Sequence, residues 1–157
     1  MRTTAFLFVF LSSVALAQTS PPASLFMSDA ELRRAIQAAP EEVRGQPGLY
    51  SLRISPPSES PVIGIRRTEK GRSELHATFT DVWYVLDGAA TLITGGTIEN
   101  GSETASGEVR GTGIKGGISR RVQKGDFAVI PAGTPHWIRD VERNEILYIV
   151  VKVPAPK

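Results

Sequence analysis

From residue 49 onward, the apolar residues occur in short runs that are separated by Gly, Pro, Ser and Asp. Runs of this length that are rich in Val, Ile, Phe, Tyr and Trp are typical of β-strands. The pattern predicts strands over residues 49–54, 62–67, 81–86, 89–94, 120–123, 127–130, 135–139 and 145–153, with further short strands near Val109 and Ile114. Asp87-Gly88, between two of these runs, predicts a β-hairpin turn. Many short strands and few helices indicate a closed or double-sheet all-β architecture.

One helix is predicted, and it precedes the strands. Ser28 and Glu31 have the spacing of a capping box, in which each side chain satisfies a backbone N–H near the start of a helix. We therefore expect a helix over residues 29–38, packed on the outside of the β structure. This helix belongs to a helical segment at 28–48, and the β domain follows it at 49–157.

The first 17 residues have the features of a cleaved signal peptide rather than of a folded domain. Residues 5–11 form an unbroken apolar run, and residues 15–17 have the small-x-small pattern that precedes signal-peptidase cleavage. Cleavage would make Gln18 the new N-terminus, followed by a flexible Ser/Pro-rich tether at 18–27. We expect the protein to be secreted or periplasmic.

Composition narrows the choice of partners. The chain has 18 Lys and Arg, 16 Asp and Glu, and no Cys, so the charges nearly cancel and no disulfide can form. Nucleic-acid binding usually requires a basic patch with stacking aromatic residues, and the basic pairs here are short and scattered. No segment after residue 17 is apolar enough to span a bilayer. We therefore predict neither a nucleic-acid partner nor a membrane association after signal cleavage.

Residues 95–117 contain eight Gly in 23 positions and interrupt the strand pattern. A long loop within a compact domain is usually functional or disordered. The segment is predicted to be an insertion into the β domain. It either forms an excursion without a ligand role or folds over the barrel mouth and supplies Arg110 or Lys115 to an anionic substrate.

Residues 125–136 carry the most informative motif of the chain. Gly125, Pro131, Gly133 and His136 follow one another with five, one and two intervening residues. Gly suits a turn, Pro ends a strand, and the His that follows can project from a fixed position on the next strand. This spacing resembles the second motif of the cupin superfamily.

A partner motif lies upstream, at residues 74–88. Glu74, His76, Asp81 and Gly88 occupy the positions at which the first cupin motif has two His, a Glu and a Gly. The motif is altered, because Glu replaces the first His and Asp replaces the Glu. The chain thus resembles a small single-domain bacterial cupin over residues 60–153. The resemblance implies a double-stranded β-helix, or jelly-roll, barrel.

The chemistry of these residues suits a divalent metal ion. Glu74 and His76 are two positions apart, so they share one face of a strand, and Asp81 lies beyond a bend. The resemblance implies that they meet His136 inside the barrel mouth. Two imidazoles and one or two carboxylates suit Fe, Mn, Zn, Ni or Co. The chain has only two His, and both lie at motif positions.

The individual roles stay open at this point. His76 and His136 are the expected metal ligands, and Glu74 is either a third ligand or a catalytic general base. Asp81 is either a fourth ligand or, because its side chain is short, a residue that orients a His ring. Alternatively, both carboxylates are solvent-facing charges near strand ends. Trp83 and its neighbour on the strand should face opposite ways, so one of them should line the pocket.

Three functions remain in competition. The first is a metal-dependent enzyme of dioxygenase, isomerase or lyase type that acts on a small molecule in the barrel. The second is a metal-free barrel that serves as a small-ligand-binding module, which the altered first motif favours. The third, a structural β protein, leaves the placement of both His unexplained. Exposed strand edges would also permit a homodimer.

Overall fold

A computed structural model describes residues 24–42 and 46–156 of the chain. The predicted signal peptide at 1–17 and most of the predicted tether at 18–27 lie outside these residues, so both stay predictions. In the described part of the chain, no helix combines the length and the apolar character that crossing a membrane would require.

The predicted helix is present as α1, Asp29–Gln37, and it begins with the expected capping box. The Glu31 backbone N–H donates to Ser28 Oγ at 3.3 Å, and the Ser28 backbone N–H donates to Glu31 Oε2 at 2.8 Å. Both bonds satisfy N–H groups that would otherwise lack a partner at a helix start, which explains why the helix begins here.

The helix packs on the outer face of the β-sheet, as predicted. Its Ile36 is fully buried and forms a small core with Leu86 and Leu147. Gly64 makes this close approach possible, because a Cβ at that position would lie only 2.5 Å from the Ile36 side chain. The helix thus covers one side of the sheet and leaves the opposite face free to line an interior.

The rest of the described chain is almost entirely β-structure, which confirms the all-β prediction. Nine of the eleven strands in the described residues form one curled sheet, in which β4 pairs with β9, β10 and β11, and the order of the others is β1-β2-β11-β3-β7-β6. The strands are β1 Leu49–Arg53, β2 Val62–Arg67, β3 Ser73–His76, β4 Phe79–Thr94, β5 Thr97–Glu99, β6 Ser102–Ala105, β7 Glu108–Gly111, β8 Gly113–Lys115, β9 Ile118–Gln123, β10 Phe127–Ile130 and β11 His136–Pro154.

The hairpin prediction at Asp87-Gly88 was wrong. The chain does not reverse there but continues as the single long strand β4. Gly88 has φ +75° and lies opposite a bulge in β11, where the pairing shifts between Val141 and Ile146. The positive φ that favours a turn therefore produces a bend within a strand. The two strands predicted at 135–139 and 145–153 are likewise one bulged strand.

The Gly-rich segment at 95–117 includes the short strands that were expected near Val109 and Ile114, as β7 and β8. It contains four short strands, β5 to β8, and β7 pairs with β3 along its whole length. β7 is therefore part of the main sheet, beside the strand that carries the first motif. The turns between these short strands account for the high Gly content, since several of the Gly have positive φ.

The main core lies on the inner face of the curled sheet, where ten buried side chains pack together. β4 and β11 contribute most of them, because these two strands pair over nearly their full lengths. The core residues are Trp83, Val85, Ala90, Leu92, Val122, Ile130, Ile138, Ile146, Tyr148 and Val150. The same inner face carries the residues of both motifs.

Candidate metal centre and ligand cavity

Strand β3 is the centre of the site. Glu74 and His76 project from the same face, because side chains two apart on a strand point the same way. On one side, Glu74 pairs with His136 of β11, and on the other side it pairs with Arg110 of β7. His76 pairs with Glu108 of β7. Residues directly opposite in neighbouring strands share a face, so the sheet register brings all five side chains together.

The four residues predicted from the motifs converge. His76 Nε2 lies 3.5 Å from Glu74 Oε2 and 3.6 Å from Asp81 Oδ2. His136 Nε2 lies 3.7 Å from Asp81 Oδ2 and 4.0 Å from Glu74 Oε2. Both His are at most 5% exposed. The alternative that the two carboxylates are merely solvent-facing charges is wrong, since Asp81 is 3% exposed and both face the imidazoles.

The other nitrogen of each imidazole has a hydrogen-bond partner. His76 Nδ1 lies 2.6 Å from Glu108 Oε2, and His136 Nδ1 lies 3.1 Å from the carbonyl oxygen of Thr134. Both partners accept from an N–H, so they assign a proton to Nδ1 and direct each Nε2 toward the carboxylates. Neither Nε2 has a hydrogen-bond partner among the described residues. Two buried ring nitrogens therefore face carboxylate oxygens, an arrangement that a cation between them would stabilise.

The spacing of these atoms fits a metal ion. With bonds of about 2.1 Å, two ligand atoms at a tetrahedral centre are about 3.4 Å apart. The four nitrogen–oxygen distances above are slightly larger than this value. One donor atom each from Glu74, His76 and His136 can be chosen so that all lie within 4.8 Å of one another. These three residues could therefore hold a metal ion together.

Asp81 differs from the other three residues because it already has a cationic partner. Lys152 Nζ lies 2.7 Å from Asp81 Oδ1 and 2.8 Å from Oδ2. The two residues face each other directly across β4 and β11. The ammonium group offsets the charge of the buried carboxylate and competes with a metal ion for its lone pairs.

Electrostatics keep Glu74 ionised. Burial by itself would raise the pKa of the Glu74 carboxyl, but the interaction with His76 and the charge of Arg110 outweigh it and hold the pKa well below its ordinary value. Burial lowers the pKa of His136, although Glu74 opposes this effect. An ionised carboxylate beside a neutral imidazole is the protonation state that metal binding requires.

Three residues of the site were missed by the sequence reasoning. Glu108 and Lys152 have no motif signal, because their proximity depends on the sheet register rather than on local spacing. Gln46 was also missed, and its Nε2 donates to Glu74 Oε1 at 3.1 Å. Arg110 was among the predicted candidates and lines the cavity, whereas Lys115 is exposed and does not.

The site opens into a cavity of about 470 Å³. Its apolar wall includes Trp83, which is stacked on Tyr148 with ring centroids 4.6 Å apart and lies edge-on to His136. Tyr84 is 46% exposed on the other face, so the expectation that one of this pair lines the pocket is confirmed. The cavity combines this apolar wall with many charged side chains, and its size is typical of small-molecule sites.

A second, larger cleft of about 740 Å³ surrounds the β11 bulge at residues 142–145. It contains neither His and none of the predicted site residues. Its polar lining includes the exposed ion pair between Arg121 and Glu142. Exposed ion pairs of this kind contribute little to stability. Among the described residues, the cleft has no cluster of potential metal ligands comparable with the one around His76.

Comparisons with known proteins identify the fold. No protein-family model and no curated protein sequence matches this chain. Among solved structures, a protein with a double-stranded β-helix domain from Klebsiella pneumoniae has a TM-score of 0.55 and 16% identity, and the match covers 86% of this chain and 100% of that one. The polyketide cyclase RemF from Streptomyces resistomycificus has a TM-score of 0.51 and 16% identity, with 77% and 79% covered. Protein NMB1881 from Neisseria meningitidis has a TM-score of 0.50 and 14% identity, with 78% and 95% covered. The protein therefore has the double-stranded β-helix fold that the motif resemblance implied. At this level of identity the likeness extends to the fold alone.

Proposed function

We propose that this protein binds a divalent metal ion through His76, His136 and Glu74 and acts on a small molecule in the adjoining cavity. The observation that carries this proposal is the pair of buried, unpartnered Nε2 atoms that face carboxylate oxygens in the described structure. Two imidazoles and a carboxylate form a donor set that suits Fe, Mn, Zn, Ni or Co. Reactions of dioxygenase, isomerase or lyase type fit such a site.

When bound, the ion would supply Lewis acidity toward a substrate oxygen or, if it is iron, a site for O₂. The protein's own residues do the positioning. Glu108 and the Thr134 carbonyl hold the two rings with Nε2 directed inward. The Gln46 amide holds Glu74 Oε1, which leaves Oε2 directed toward the two imidazoles. Glu74 is thereby placed either as the third ligand or as a base for a substrate proton.

A second candidate function is a metal-free barrel that binds a small ligand. The observation that favours it is the set of internal cations beside the carboxylates. Lys152 is paired with Asp81, and Arg110 Nη1 lies 3.4 Å from Glu74 Oε2. These cations partly neutralise the cluster without a metal ion. The two candidates therefore differ in whether an ion binds to the two Nε2 atoms.

Metal content of the purified protein distinguishes the two candidates. We expect close to one ion per chain by plasma mass spectrometry, lost in both His76→Asn and His136→Asn. Glu74→Gln should weaken metal binding if Glu74 is a ligand, or abolish turnover with the metal retained if it is a base. The matched control is Glu142→Gln in the second cleft, which should keep the metal.

Chelator-free protein that is folded, empty and unable to be loaded with any of the five metals would contradict the metal proposal and favour the ligand-binding barrel. Circular dichroism on each variant establishes folding before the metal analysis is interpreted. We also propose that the protein is exported, on the basis of the N-terminal pattern of residues 1–17.

A further inference from the structure

The cavity contains a buried arginine that the metal site does not use. Arg67 lies on β2, on the same face as Ile63 and Ile65, and all three line the cavity. Arg67 is 4% exposed. In the described residues, Nη2 donates to Gln46 Oε1 at 3.3 Å and the guanidinium also interacts with the Tyr148 hydroxyl, while Nε and Nη1 have no hydrogen-bond partner.

A buried guanidinium without an acidic partner is energetically costly. A charged group normally enters a protein interior only when an opposite charge and several hydrogen bonds compensate for lost hydration. Only neutral groups interact with Arg67, the Gln46 amide and the Tyr148 hydroxyl, and no ion pair forms with it in the part of the chain that is described. Three of the other four cavity cations have such compensation, and the fourth, Arg72, is only half-buried. Lys152 is paired with Asp81, Arg110 with Glu74, and Arg53 donates to the carbonyl groups of the loop at 55–59.

The overall charge of the cavity lining points the same way. Five cationic and four anionic side chains line it, so it is slightly positive before any ion binds. They are Arg53, Arg67, Arg72, Arg110 and Lys152 against Glu42, Glu74, Asp81 and Glu108. The divalent ion of the proposed function would add two further positive charges. An anionic ligand would therefore reduce the repulsion inside the cavity, and a neutral or cationic ligand would not.

We propose that the cavity binds a small organic acid, with its carboxylate held by Arg67 and its body between the apolar wall and the two imidazoles. This inference rests on the proposed function for the position of the ion, but the role of Arg67 does not require it. The carboxylate would replace Gln46 Oε1 on the guanidinium and form the charge-assisted hydrogen bonds that arginine makes with planar anions.

The size of the ligand follows from the same contacts. The single carboxamide of Gln46 joins Arg67 at one end to Glu74 at the other. A ligand that displaces this amide would therefore need only a short body to extend from Arg67 to the metal centre. The rings of Trp83 and Tyr148 offer an aromatic surface beside this path. A carboxylic acid with one ring or a short apolar chain fits these dimensions.

Benzoate and its neutral isostere benzamide test this inference directly. Binding to the purified protein is measured by calorimetry, once with metal-loaded protein and once with chelator-treated protein. We expect benzoate to bind at least about tenfold more tightly than benzamide in both forms, as for a hydrogen bond to a charged group. Equal binding of the two probes, or no binding of either at millimolar concentration, would overturn the proposal. A preference for benzoate confined to the metal-loaded form would assign the carboxylate to the ion and would also overturn it.

Arg67→Met and Arg66→Met provide a matched pair of variants. Arg66 is adjacent in sequence but points to the other face, where its guanidinium lies 3.6 Å from the centre of the Tyr50 ring. We expect Arg67→Met to lose the preference for benzoate and Arg66→Met to keep it. Arg67→Met should also unfold at a higher urea concentration than the parent without ligand, because an uncompensated charge has been removed. Retention of the preference in Arg67→Met would contradict the proposal.

Metal content measured in the same samples separates this inference from the proposed function. Protein without metal that still prefers benzoate through Arg67 would refute the metal site and leave the anion site standing. Protein that binds metal but does not prefer benzoate would refute the anion site and leave the metal site standing. If Arg67→Met does not fold, Arg67→Lys replaces it and should retain part of the preference, since it keeps the charge but loses the planar fork.

Discussion

Glu108 offers the sharpest test of how the metal centre is built, because it touches His76 without being a predicted ligand. Its Oε2 lies 2.6 Å from His76 Nδ1. The substitution Glu108→Gln keeps the length of the side chain and an acceptor oxygen at its end, and it removes the negative charge. It therefore tests whether that charge increases the basicity of His76 Nε2, rather than whether the ring is packed.

The expected magnitude follows from the contact. Loss of a partner that holds a ligand ring typically weakens metal binding 10- to 100-fold, which is about 1.4–2.7 kcal/mol. His76 is 5% exposed, so its bond to Glu108 is poorly screened by water. Arg110 Nη2 lies 3.5 Å from the same carboxylate oxygen. Without Glu108, the charge of Arg110 acts more strongly on Glu74, so we expect at least a tenfold loss.

Competition with a chelator of known affinity measures the dissociation constant for Zn(II) in the parent and the variant. Urea unfolding gives an independent reading, because an ion that binds only the folded chain stabilises it. At a free ion concentration of 100 times the parent Kd, this stabilisation is about 2.7 kcal/mol, and a tenfold weaker variant retains about 1.4 kcal/mol. The control is Glu103→Gln on β6, whose carboxylate is exposed and accepts from the Gly107 backbone.

An unchanged Zn(II) affinity in Glu108→Gln would refute the reasoning, since the charge would then have no effect on His76. An equal loss in Glu103→Gln would also refute it, because the effect would then be a general response to reduced negative charge. Unfolding in the absence of metal should differ little between parent and variant, which shows that the loss concerns the ion and not the fold.

Three further predictions concern the fold and its processing. In chelator-treated protein, the free energy of unfolding should decrease as the pH falls below 6.5, the ordinary pKa of His. Burial lowers the pKa of His136 in the folded state, so the unfolded chain binds the proton more readily. A urea midpoint that stays constant down to about pH 5 would contradict this prediction. Gly88→Ala should destabilise the protein more than Gly125→Ala, although both Gly have positive φ. Only at Gly88 would the new Cβ meet a neighbouring atom, the Glu145 carbonyl oxygen at 2.1 Å. Equal urea midpoints for the two variants would refute this prediction. N-terminal sequencing of the exported protein should begin at Gln18, and an intact N-terminus would refute signal cleavage.

The parts of the site that the sequence predicted are those that depend on short-range spacing. Glu74 and His76 are two positions apart on one strand, and the Pro and Gly before His136 end one strand and start another. Such patterns determine which way a side chain points, and the family resemblance predicted that these side chains converge. The helix was predicted equally well, because its capping box is a contact between residues three positions apart.

The parts that the sequence did not predict depend on strand pairing between distant segments. Glu108 lies in a Gly-rich stretch that resembles a loop, and only the register of β7 against β3 brings it to the site. Lys152 reaches Asp81 for the same reason, across β11 and β4. The Asp87-Gly88 pair has the composition of a turn, but the tertiary pairing of two long strands converts it into a bend. The local sequence accounts for the positive φ of Gly88, and the pairing of β4 with β11 determines that this φ produces a bend rather than a turn.

The direct pairing of His136 with Glu74 also has a consequence for folding kinetics. The two residues are 62 positions apart in the sequence, yet they are opposite each other in the sheet. Contacts of such large sequence separation form slowly, because the chain loses much conformational entropy before they are made, and all-β domains accordingly fold in milliseconds to seconds. A polypeptide that emerges in an extended form would therefore acquire its metal-binding capacity only late in folding. The rate at which Zn(II) is taken up during refolding would then report the final closure of the barrel.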